Sequence, residues 1–178
     1  TVAGANAKTF NGQSITNRGT MTATATVSFL NGASWINEVS AILNANGGSF
    51  DDTGTAGTCL NFGTVRRTAN VGSGGVDLIL TNAGGLVSLQ SGTMTIGRFT
   101  QTAGRTELRG GNLGGTLTLL GGTLDGGGDV GNVINGATYH KLIGQNLTNA
   151  VNLFTAQGVT IVDMLGKSVI VTDAPALY

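Results

Sequence analysis

The sequence predicts a mainly β protein: a parallel β-solenoid over residues 1–137, followed by a small α+β segment, a helix plus a β-hairpin, over residues 138–178. Three observations carry that reading. Short runs alternate Thr with apolar residues, Gly and Asn pairs punctuate them, and the punctuation returns after about twenty residues, as it does in chains that wind into coils.

The runs come first. Residues 20–27 alternate Thr with Met21, Ala23, Ala25 and Val27, and residues 86–89, 93–96, 99–102, 106–108 and 116–120 repeat the theme. Each is too short for a helix. Thr, Val and Ile suit a pleated surface, and a period of two sends one set of side chains inward.

Between the runs stand Asn11-Gly12, Asn31-Gly32, Gly47-Gly48, Gly74-Gly75, Gly84-Gly85, Gly110-Gly111, Gly114-Gly115, Gly121-Gly122 and the triple glycine at 126–128. Asn and Gly tolerate the positive φ that sharp corners demand. Gly92-Thr93-Met94, Gly115-Thr116-Leu117 and Gly122-Thr123-Leu124 share one pattern, Gly-Thr followed by a large apolar residue. Stacked at the ~4.8 Å strand spacing, coils of ~20 residues make residues 1–137 a rod of roughly seven coils and ~30 Å. Asn-Gly is also a strong hairpin signal, so a meander of antiparallel hairpins competes. The brevity of the segments favours the solenoid.

Two stretches depart from the pattern. Trp35, Ile36, Val39, Ile42 and Leu43 fall at helical spacing, yet within a coil they read as two strands with a corner, and β is expected there. After Ala137 glycine thins out. Tyr139, Leu142, Ile143, Leu147, Ala150 and Phe154 are spaced by three or four, which predicts an amphipathic helix over 138–154 with a weak point at Gly144. Residues 159–164 and 168–172 read as a hairpin through Leu165-Gly166-Lys167.

Composition excludes several classes. With 31 Gly, one Pro, 40% apolar and 10% charged residues, the chain is too rich in Val, Ile, Leu and Thr for disorder and lacks the Gly-X-Y register of collagen. The net charge is zero and the charges are scattered, so no footprint for nucleic acid appears. Arg66-Arg67 is the densest basic spot; on a strand the two point to opposite faces, and a solvated edge is expected. No run approaches the roughly 18 apolar residues of a membrane span, and no targeting signal is visible at the start, so membrane insertion is not expected. The single cysteine, Cys59, allows no intrachain disulfide and reads as a buried core position between Thr58 and Leu60.

Residues 29–35 (FLNGASW), 90–95 (QSGTMT), 111–119 (GNLGGTLTL) and 121–126 (GGTLDG) resemble the Gly/Thr/Asn-rich repeats of bacterial secreted and autotransporter-like surface proteins, across most of residues 10–137. That resemblance implies a right-handed parallel β-helix displayed outside the cell. Residues 139–143 (YHKLI), 146–149 (NLTN) and 162–175 (VDMLGKSVIVTDAP) are similar to a segment of tailed-phage major capsid protein, over some forty residues. This second resemblance implies a virion-associated chain, although a capsid subunit is far larger and carries no Gly-Thr solenoid.

Candidate chemistry is sparse. His140, the only histidine, lies beside Tyr139 and Lys141 with no cysteine or carboxylate at ligand spacing, and reads as a surface residue. Asp51-Asp52 and the pair Asp125, Asp129 are the acidic clusters. Neighbours on a strand diverge, and Asp beside triple glycine is an ordinary corner residue. A polysaccharide-cleaving β-helix would pair carboxylates on one face, with Glu107 and Arg105 or Arg109 as additional members. Residues 126–131 (GGGDVG) match G-x-G-x-x-G, but Asn132-Val133-Ile134-Asn135 reads as extended where a helix should open, and Asp129 repels phosphate. The same stretch lacks the offsets of a calcium-binding repeat. The Thr-x-Thr runs raise ice binding, set against the plain preference of Thr for strands.

The expected function is therefore non-catalytic: a structural or display protein acting outside the cell in spacing, adhesion or assembly. Its expected partners are other copies or other surface subunits, with glycans as a further class and no nucleic acid. A virion structural protein is the principal alternative, with an ice-binding solenoid and a polysaccharide-degrading enzyme behind it. No catalytic, cofactor-binding or metal-binding residue is assigned, and no cofactor is expected.

Overall fold

A computed structural model describes residues 7–69, 74–126, 128, 130–135, 141–144 and 161–163. Every strand pairing among them is parallel, and the chain winds as a β-solenoid of about six turns. The first three coils use short strands: β1 (Lys8–Asn11), β2 (Ser14–Asn17) and β3 (Thr20–Thr22); β4 (Val27–Leu30), β5 (Ser34–Asn37) and β6 (Ile42–Asn44); β7 (Phe50–Thr53), β8 (Thr58–Asn61) and β9 (Thr64–Arg67). Next come β10 (Gly74–Leu89) and β11 (Gly92–Leu108), each of which runs through a whole coil and bends at the corners, where the register shifts. β12 (Gly111–Leu119), β13 (Thr123–Gly126), β14 (Val130–Asn135), β15 (Lys141–Gly144) and β16 (Ile161–Asp163) complete the set.

The pairings define three faces. The first stacks β1, β4 and β7, then the opening parts of β10, β11 and β12. The second stacks β2, β5 and β8, then the middles of β10 and β11, the end of β12 and β14. The third stacks β3, β6 and β9, the ends of β10 and β11, then β13, β15 and β16.

Register explains the core. Ile15, Trp35, Cys59, Leu80, Phe99, Leu117 and Val133 are successive partners on the second face. On the third, Met21, Leu43, Val65, Val87, Thr106 and Leu124 follow one another. With a period of two, stacking in register places like beside like, and the inward halves fuse into one apolar column. At the N-terminal end that column is aromatic: Phe10 packs on Phe29 with ring centroids 5.5 Å apart, and Trp35 lies edge-on to Phe29 at 5.9 Å and to Phe50 at 6.2 Å.

The two Asn-Gly pairs occupy equivalent corners rather than hairpin turns. Asn31 (φ 51°) and Gly32 (φ 72°) turn the chain between β4 and β5, and Asn31 Nδ2 donates to Asn11 Oδ1 of the preceding coil at 2.7 Å. The helical spacing at 35–43 resolves, as expected, into β5 and β6 around a corner at Ser40 (φ 70°). Val39, counted on the apolar helical stripe, is 76% exposed at that corner.

One feature has no counterpart among the expectations, and two expectations need correction. Asn37, Asn61, Asn82 and Gln101 are fully buried, and side-chain hydrogen bonds between coils satisfy them. Arg66 and Arg67 do point to opposite faces, but only Arg66 meets the surface. Arg67 is 1% exposed, inside the coil, and its Nη1 donates to Ala45 O at 3.1 Å. Gly74 in the next coil leaves room for the guanidinium, since a Cβ there would collide with Arg67 Nη1. Finally, Lys141–Gly144, read as helical, is strand β15, paired with β13 on one side and β16 on the other. An exposed strand edge accepts any short extended segment, so pairing outweighs the local helical spacing. The third-face ladder thus crosses residue 137. The remainder of the expected helix and the 168–172 arm of the expected hairpin lie outside the described residues.

Candidate functional site

Side chains with chemical potential gather on the outer surface of the third face and at its corner with the second. Outward positions there run Thr22, Asn44, Arg66, Ser88, Glu107 in successive coils, with Asp125 the next register partner. They are linked coil to coil: Asn44 Nδ2 donates to Thr22 Oγ1 at 2.9 Å, Arg66 Nε to Asn44 Oδ1 at 2.6 Å, and Ser88 Oγ to Glu107 Oε1 at 2.8 Å.

Glu107 is the centre of this row. It is only 6% exposed, and its Oε2 meets Arg109 Nε at 2.9 Å and Arg105 Nη2 at 3.4 Å. Burial alone raises a carboxyl pKa. Here the Ser88 hydroxyl, the Arg109 hydrogen bond and the charges of Arg109 and Arg105 together outweigh it, and the carboxyl sits below its ordinary value. The group is therefore a charged anchor at neutral pH, not a proton donor.

Beside it the corner opens into a groove of about 390 Å³, bordered by Phe62, Leu86, Arg105 and Glu107 and floored by Gly63, Gly85 and Gly104. The floor is backbone for a steric reason. A Cβ on Gly63 would stand 2.3 Å from Ala41 O, one on Gly85 2.3 Å from Gly63 O, and one on Gly104 2.2 Å from Gly85 O. Each missing side chain would point into the preceding coil, whose carbonyl fills that space, so glycine lets successive coils stack closely at this corner. Phe62, 38% exposed, forms a wall.

The sequence singled out Glu107, Arg105 and Arg109, and the structure brings them together. It does not unite Asp51 and Asp52 into a site: Asp52 pairs with Arg98 at 2.5 Å, and both aspartates are half-buried on the first face. Asp129 and His140 lie outside the described residues. The G-x-G-x-x-G match runs into strand β14 rather than a helix, so no helix N-terminus meets a phosphate there. Among the described residues no three His, Cys, Asp or Glu side chains could share a metal ion, and no helix is long and apolar enough to cross a membrane.

Cys59 is buried, and burial pushes its thiol up to about 12, which suits a core residue rather than a nucleophile. Threonines 81, 100 and 118 align in one outward column of the second face, but earlier coils place Leu60 and Ile36 in it, and the neighbouring column carries Ile79 and Arg98. A broad two-column threonine lattice is not formed by the described residues.

Sequence reasoning missed the interior amide ladder. Asn17, Asn37, Asn61 and Asn82 each close a second-face strand, in Ser-Ile-Thr-Asn, Ser-Trp-Ile-Asn, Thr-Cys-Leu-Asn and Ile-Leu-Thr-Asn. That recurrence was the available signal.

Comparison with known proteins adds one match. Residues 126–178 match the family described as Gp13-like, major capsid protein 13-like. No curated protein and no solved structure matches the chain.

Proposed function

We propose that the chain is a non-catalytic structural protein of a phage particle. The solenoid serves as a stiff spacer or projection, and the C-terminal segment makes the junction with other capsid subunits. One observation carries this reading: the segment similar to major capsid proteins begins at residue 126, where the third-face ladder passes from β13 to β15 and β16. Three strands within that segment, β14, β15 and β16, therefore continue the stack of coils. Parallel ladders on three faces, a continuous apolar column and the interior amides all resist bending, as a spacer requires. Display on a cell surface is a second reading; the Gly-Thr coil pattern supports it without favouring it over the particle.

Mass spectrometry of density-gradient-purified particles tests the proposal. The expected result is this chain at a stoichiometry fixed relative to the major shell subunit. Its absence from purified particles, with recovery in the host envelope or the medium, would overturn the particle reading and favour surface display.

A further inference from the structure

We propose that the groove at the corner of the second and third faces binds a saccharide, with one pyranose ring seated on the glycine floor against Phe62 and its hydroxyls on Arg105 and Glu107. A pyranose presents a flat patch of C–H bonds ringed by hydroxyls, and the groove offers the complement to each. Phe29, Phe50 and Phe99 are almost wholly buried, whereas Phe62 keeps 38% of its surface in water on the wall of an open trough. An aromatic face left in that position suits the C–H side of a sugar. Gly63, Gly85 and Gly104 line the groove with backbone between the Phe62 wall and the Arg105–Glu107 pair.

The polar wall is ordered in advance. Ser88 and Arg109 fix the Glu107 carboxylate, and Glu107 tethers Arg105, whose side chain remains 45% exposed along the groove. A guanidinium fork and a carboxylate held side by side supply donors and acceptors for vicinal hydroxyls, and their prior ordering lowers the entropic cost of binding. The volume of about 390 Å³ lies at the small end of ligand sites, which fits one or two rings and weak affinity per site. Many copies on one particle would turn weak contacts into firm attachment.

The test is a titration of the full ¹⁵N-labelled chain with methyl glycosides of glucose, galactose, mannose and N-acetylglucosamine, and with glucuronate, followed by amide shifts. Saturable shifts at Gly63, Gly85 and Gly104 are expected with at least one neutral glycoside. Phe62→Ala and Arg105→Gln should each weaken binding about tenfold or more while the amide spectrum away from the groove stays that of the folded chain. No shift with any of the five sugars overturns the proposal. Shifts confined to glucuronate that survive Phe62→Ala also overturn it, since they describe an anion on an arginine and not a sugar site.

Discussion

Asn61 Nδ2 donates to Asn82 Oδ1 at 2.9 Å across adjacent coils, inside the protein and away from water. The relationship repeats: Asn17 donates to Asn37 and Asn37 to Asn61, both at 2.8 Å, and Asn82 to Gln101 at 3.3 Å. Nδ2 groups also reach backbone carbonyls at the corner, as Asn17 does to Ile42 O and Asn82 to Gly85 O. The ladder therefore satisfies polar backbone that a tight corner would leave orphaned, and it locks one coil to the next in a single register.

Asn61→Ala should destabilise the protein by about 3 kcal/mol, because Asn82 Oδ1 and Leu86 O lose a buried donor while Asn37 loses an acceptor. Asn11→Ala, which removes only an exposed amide contact, should cost less than about 1 kcal/mol. Urea denaturation of the two variants checks the difference.

Gly104→Ala should be poorly tolerated, at a cost above about 2 kcal/mol, since Gly104 has φ 80° and its new Cβ would meet Gly85 O. Gly19, where an added methyl would have nothing within 4 Å and φ is not positive, should accept Ala with little change. Thermal midpoints of both variants measure the contrast.

The Glu107 carboxyl has a lowered pKa in the folded chain. Its contribution to stability is therefore present above the ordinary glutamate value of about 4.3 and is lost as pH falls through the lower folded value. Wild type should lose stability over that acidic window, and Glu107→Gln should show a smaller acid dependence. Denaturation midpoints between neutral and acidic pH, compared for the two proteins, check it.

Cys59, buried and with its thiol at about 12, should ignore a disulfide reagent at neutral pH in the folded state and react fully once the chain is unfolded in guanidinium. Absorbance of the released thiolate follows both reactions.

The coil architecture was legible because its signals are local. Asn31-Gly32 and the Gly-Thr pairs mark corners, and alternation in runs such as 116–119 marks strands. What escaped depended on partners one coil away. Nothing local distinguishes Asn61 on an inner corner from an asparagine in water, and Arg67 is held in the core by the carbonyl of Ala45, one coil earlier. Likewise Leu142 and Ile143 fit a helical stripe by spacing, and only the edge of β13 makes them a strand. In the groove, Glu107 and its arginines were visible as charged neighbours in sequence, whereas Phe62 joins them only through stacking of three coils.

In-register parallel stacking is the claim on which the rest depends, and engineered disulfides test it most directly. Thr81 and Thr100 are register partners, as are Thr100 and Thr118, and adjacent strands hold such Cα atoms within the span of a disulfide. In a Cys59→Ala background, the Thr81→Cys/Thr100→Cys and Thr100→Cys/Thr118→Cys variants should oxidise rapidly and completely in the folded state, while Thr81→Cys/Thr118→Cys, two coils apart, should not. Equal cross-linking in all three variants, or none in the two adjacent pairs, would contradict the stacked coils.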